Sequence, residues 1–132
     1  RAKATEADII WAGTAAIKRA YRIFKERGYA CMLMPAAARG NYHITRLAGA
    51  DMIMSVSHGI AAGLVNEADL APHIDDPVDP AILARLMEMP EFVKAYEPDG
   101  MRTDEFITFG SCNRTLDQFV QCGWNILKGL EL

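Results

Sequence analysis

The run Tyr29-Ala-Cys-Met-Leu-Met-Pro-Ala-Ala-Ala-Arg-Gly-Asn41 decides how the rest of the chain is read. From Ala30 to Ala36 it is continuously apolar, too short for a full helix and without polar alternation, which is the pattern of a strand covered on both faces. Pro35 cannot donate to a central ladder, so it marks where the strand gives way to a loop. That loop presents Arg39 and Gly40 before a helix opens, as α/β proteins do when they place a phosphate-binding cation at a strand's carboxyl end. A helix-cap or surface salt-bridge arginine is the plainer role for the same residue.

On the amino-terminal side, residues 14–28 read as a helix with Thr14 as its cap, Ala16, Ile17, Ala20, Tyr21 and Phe24 on one face, and Gly28 as its stop. Lys18, Arg19, Arg22, Lys25 and Arg27 fill the other face, which reads as solvated. On the carboxyl side the unit repeats in shorter form, with Asn41 as cap, Ile44, Leu47 and Ala48 as apolar positions, and Gly49 as end. A second apolar strand, Ala50-Asp-Met-Ile-Met-Ser-Val56, follows. The two strands start about 20 residues apart with one helix between them, so a right-handed parallel βαβ unit is expected. Residues 58–66 extend the pattern to βαβα.

The proline- and aspartate-rich stretch Asp69–Pro80 reads as a surface connection that separates these βα units, residues 1–68, from a helical segment, residues 69–132. Within that segment Asp79-Pro80 starts a helix to about Met89, Pro90 ends it, and Glu97-Pro-Asp-Gly100 makes a turn. From Thr103 the chain is expected to be helical to its end, with Asp104 and Glu105 in the first turn and Lys128 in the last. Leu116, Phe119, Val120, Gly123, Trp124 and Leu127 recur at helical spacing, so this helix is expected to lie against something apolar.

Composition sets the outer limits. With 132 residues, 51% of them hydrophobic and charges of both signs, the chain fits one globular domain. A net charge of -3 and a pI near 5.6 argue against nucleic acid and anionic membrane surfaces as partners. Cys31, Cys112 and Cys122 are odd in number and not at metal-ligand spacing, and read as buried thiols of a reducing compartment. The start lacks a signal peptide's apolar run and no stretch approaches a membrane span, which suits the cytoplasm. The first residue is Arg rather than Met, which fits a processed product or a fragment.

A strand ending near Arg39, together with Leu47-Ala-Gly-Ala-Asp-Met-Ile53 leading into the next strand, resembles the C-terminal part of the transaldolase family. The resemblance takes in Ile23-Phe-Lys-Glu-Arg-Gly-Tyr29 upstream, and Glu91-Phe-Val, Asp99-Gly-Met101 and the long final helix downstream, roughly residues 8–128. It implies an α/β fold, namely the C-terminal portion of a (β/α)₈ TIM barrel, with the two parallel strands as the seventh and eighth, followed by the helical tail. It also implies a role in the pentose phosphate pathway: moving a dihydroxyacetone unit between sugar phosphates through a lysine Schiff base, with no metal or organic cofactor. In the family the first strand's motif ends in Ser, an aromatic or apolar residue, then a basic residue; the matching positions here are Ala37, Ala38 and Arg39. Arg39 thus keeps the phosphate-binding cation, whose planar fork suits two oxygens, while Ala37 lacks the hydroxyl and Ala38 changes the pocket wall.

The resemblance places the catalytic lysine upstream of this chain. Lys3, Lys18, Lys25, Lys94 and Lys128 fall in tails or on helices, none at a strand end, so the chain alone is expected to be inactive. A quarter of a barrel that needs around 200 residues leaves open strand edges, so self-association or association with the missing part is expected. His58 either lines the barrel mouth with Arg39 or occupies a first helical turn capped by Ser57. His43, His58 and His73 stand 15 residues apart without metal-ligand spacing, and the aspartates near Asp75, Asp76 and Asp79 lack an EF-hand pattern, so no metal is expected. Met32, Met34, Met52 and Met54 recur at period two, which reads as packing. Two other readings stand beside the transferase: a non-catalytic relative that binds a sugar phosphate or serves in assembly, and a purely structural interaction domain.

Overall fold

The computed structural model of the chain describes residues 4–69 and 71–130. The readings that touch Arg1–Lys3, Leu70 and the last two residues lie outside them.

Thr5 caps α1 (Glu6–Ile9) in a reciprocal box, its hydroxyl accepting from the Asp8 N–H at 3.3 Å while its own N–H donates to the Asp8 carboxylate at 2.8 Å. Helix α2 (Ala12–Arg27) follows after one turn and stops where Gly28 takes the left-handed conformation, φ 61°, as the sequence indicates. Its start differs from expectation. Trp11 precedes the first turn, and Thr14 lies inside the helix, buried, rather than at the cap. Helix α3 (Asn41–Thr45) and α4 (His58–Leu64) are short, and neither Gly40 nor Ser57 caps them through a side chain.

Asp79 caps α5 (Pro80–Leu86) through the Ala81 N–H at 2.7 Å. Pro90 opens α6 (Pro90–Tyr96) where a helix end was expected; the first turn has spare N–H groups, so a proline there costs no helical bond. A 3₁₀ turn at Thr103–Thr108 then leads into α7 (Gly110–Phe119), a π turn at Val120–Trp124 and α8 (Asn125–Lys128).

The core lies between α2, α5 and α6. Ala15, Leu86 and Phe92 are buried there, with Ile82, Leu83 and Tyr96 packed against them. Arg85 of α5 clasps the Asp8 carboxylate at 2.9 and 2.6 Å, tying α1 to the same layer.

The expected TIM-barrel portion is not what forms: the described residues contain no β-strand and no sheet, and the architecture is helical. The two apolar runs instead lie side by side as extended segments. The Ile53 N–H donates to the Leu33 carbonyl at 3.1 Å, and the Ser55 N–H to the Pro35 carbonyl at 2.9 Å. A parallel ladder needs a return bond from residue 35, and proline has no N–H to give. The pairing therefore stops at two one-way bonds.

Exposure alternates along both segments with the period of extended chain. Leu33 and Pro35 are half-buried while Met32, Met34 and Ala36 are exposed; Met52, Met54 and Val56 are half-buried while Ile53 and Ser55 are exposed. One face is covered, not two, and Met32 and Met34 are not packing residues. The terminal helix is likewise uncovered, with Leu116, Phe119 and Trp124 exposed, so nothing apolar in the described residues receives it. Of the cysteines, Cys31 and Cys122 are exposed and Cys112 is half-buried, all as free thiols.

Candidate functional site

A cavity of about 270 Å³ lies between the first half of α2, the loop after the first extended segment and α3. Ala37 and Ala38 line it, together with Thr14, Ile17, His43 and Leu47. Its wall is mostly apolar and carries two polar groups. Thr14 is 1% exposed, and its hydroxyl has no hydrogen-bond partner among the described residues. Buried hydroxyls are nearly always satisfied, so this orphan is an unusual group at the cavity wall, itself closed to solvent.

His43 is the second group. Its Nδ1 accepts from the Arg39 backbone N–H at 3.0 Å, so the neutral ring carries its proton on Nε2, the nitrogen that faces Gly13. Burial, reinforced by the Arg46 and Arg39 cations, pushes the His43 pKa below its ordinary value and keeps the ring neutral. The loop that this bond fixes is strained: Ala37 has φ 58°, a left-handed conformation that residues with a Cβ rarely adopt. Arg39 leaves that loop exposed, and its guanidinium forms no ion pair with any described residue.

The structure thus places Ala37 and Ala38 on the cavity wall, leaves Arg39 exposed on the same loop but outside the lining, and puts His58 elsewhere, exposed in the first turn of α4. Thr14 and His43 were not anticipated there. The sequence signal for Thr14 pointed to a helix cap, and His43 sits only four residues past Arg39, a spacing that could have suggested a side-chain contact back to the loop.

A second polar cluster was also missed. Lys18, assigned to the solvated face of α2, is 5% exposed, and its Nζ donates to the carbonyls of His73 and Asp76, the latter at 2.7 Å. Burial pushes its pKa down. His73 in turn is held between Asp76 at 2.6 Å and Asp69 at 2.8 Å, and these carboxylates push its pKa up. Beside them Arg46 stacks on the Trp11 ring at 3.4 Å. The acidic connection is therefore a clasp onto α2 and not a free solvated loop.

Among the described residues no group of His, Cys, Asp or Glu is arranged to hold a metal ion, and no helix is long and apolar enough to cross a membrane. No protein-family model, no curated protein and no solved structure matches the chain.

Proposed function

We propose that the chain binds a phosphorylated sugar, with the phosphate on Arg39 and the carbon–oxygen body in the cavity, as the sugar-phosphate-holding part of a transaldolase-like dihydroxyacetone transfer in the cytoplasm. The observation that carries this reading is an exposed Arg39 guanidinium, without an ion pair among the described residues, on the loop whose Ala37 and Ala38 line the cavity. The guanidinium fork matches two phosphate oxygens, and Thr14 offers a donor and acceptor to a sugar hydroxyl or carbonyl.

A second reading is a non-catalytic sugar-phosphate-binding relative, and it has its own support. None of Lys18, Lys25, Lys94 and Lys128 lines the cavity, and the Lys18 amine is committed to two carbonyls. Among the described residues none supplies a free amine to a sugar carbonyl at this place.

Titration with fructose 6-phosphate and with fructose, followed by calorimetry and by the amide shifts of Thr14, Arg39 and His43, tests the binding. Arg39→Ala is expected to weaken the phosphorylated sugar by about ten- to a hundredfold, the loss of one charge-assisted site. Equal binding of fructose, or an unchanged affinity in Arg39→Ala, sinks the proposal. Borohydride reduction in the presence of fructose 6-phosphate separates the two readings: a trapped lysine adduct favours transfer, and binding without an adduct favours the module.

A further inference from the structure

We propose that residues 32–36 form a self-pairing edge through which two copies of this chain associate as a two-fold dimer. The bonds to Ile53 and Ser55 use the carbonyls of Leu33 and Pro35, which fixes the side on which the odd-numbered backbone groups lie. In extended chain the N–H and C=O of successive residues point to opposite sides, so those of Met32, Met34 and Ala36 face away from the second segment. None of these three N–H groups finds a backbone or side-chain acceptor among the described residues. Pro35 falls on the paired side, so the outward row of donors has no gap.

This edge also has none of the usual protection. From Gly28 to Ala38 there is no charged residue, and Met32 and Met34 are 53% and 63% exposed. Exposed apolar edges are ordinarily blunted by charge, proline or a covering element. The occupant that fits is the same edge of a second copy, antiparallel, with Met34 opposite Met34 and Met32 opposite Ala36. That register pairs every outward backbone group of residues 32–36 on both copies, and the two-fold axis closes this contact on itself. The flanking cations Arg27 and Arg39 do not fall opposite one another in it. The exposed Ile53 continues the apolar face next to the junction. The proposal does not depend on the ligand reading, since Arg39 and Thr14 take no part in it.

Sedimentation of the full chain across a concentration series, combined with amide exchange, tests it. A dimer is expected in which the Met32, Met34 and Ala36 amides exchange at least tenfold more slowly than in the dilute monomer. Met34→Lys, an exposed position, is expected to weaken the dimer at least tenfold and to abolish that protection; Met32→Pro, which removes one donor, is expected to do the same. A chain that stays monomeric at all concentrations overturns the proposal. So does a dimer in which these three amides exchange freely, which would assign the contact to the uncovered terminal helix instead.

Discussion

The Arg39 backbone N–H donates to Nδ1 of His43, so the ring that lines the cavity also sets the loop from which the cation projects. A protonated ring has no lone pair to accept this bond, which couples the loop to pH.

His43 has a folded pKa held below its ordinary value, first by burial and then by the Arg46 and Arg39 cations. Its stabilising contribution is therefore complete above the unfolded value of about 6.5 and is lost as pH falls through the lower folded value. Affinity for fructose 6-phosphate should fall on the same acid limb, beyond what protonation of the phosphate itself produces. His43→Gln, which retains an acceptor oxygen, should flatten the protein's share of that limb, and His43→Ala should weaken binding at every pH by several-fold. Calorimetric titrations from pH 5 to 8 on the three proteins check this, and an identical pH profile in all three would remove His43 from the site.

His73 runs the other way. Asp76 and Asp69 raise its folded pKa, so its contribution is complete below the unfolded value and is lost as pH rises through the folded one. Loss of the proton turns one ring lone pair toward a carboxylate and loosens the clasp on Lys18. The amide protection of residues 73–76 should therefore fall as pH rises through that raised value. Lys18→Met should do the same at all pH values and cost about 1–2 kcal/mol, because the Asp76 carbonyl loses its donor and the His73 carbonyl keeps only the Asp76 N–H. Exchange measured by NMR and urea unfolding of the variant supply the two readouts.

The sequence was a good guide where one residue's own chemistry decides the outcome. Gly28 stops α2 and Asp79-Pro80 opens α5. It misled where the outcome depends on a neighbour. Apolar runs 30–36 and 50–56 have strand composition, yet a strand exists only through its partner's bonds, and Pro35 withholds the return bond from the segment beside it. Lys18 sits in a basic pattern indistinguishable from its solvated neighbours; only the connection folded back over it makes it buried. Pro90 in sequence suggests a stop because proline ends helices, although it is equally suited to start one.

Gly49 shows the same dependence on a distant segment. Its φ of 86° favours glycine, and a Cβ there would lie 2.5 Å from the Pro72 Cβ. The neighbouring Ala48 carbonyl receives the N–H groups of His73 and Ile74 at 2.9 and 3.0 Å, so the connection cannot simply move away. Gly49→Ala is expected to destabilise the chain by about 2–3 kcal/mol, strain and overlap together. Gly59→Ala, within α4 where a Cβ meets nothing within 4 Å, is the control and should leave stability unchanged or raise it by up to about 1 kcal/mol. Equal losses at both positions, read by urea denaturation, would mean that the contact with Pro72 is not formed.

Ala37 sets stability against function at the cavity. A residue with a Cβ in the left-handed region carries about 1–2 kcal/mol of strain, whereas glycine adopts it freely at an entropic cost of roughly 0.5–1 kcal/mol. Ala37→Gly should therefore leave the chain as stable or up to about 1 kcal/mol more stable, where most substitutions destabilise. The Ala37 methyl group also helps to line the cavity, and the residue holds the loop from which Arg39 projects. Removing both the wall and the rigidity should lower fructose 6-phosphate affinity several-fold even as the midpoint of urea unfolding stays or rises. A variant that loses stability and keeps its affinity would show that the Ala37 conformation belongs to the fold and not to the site.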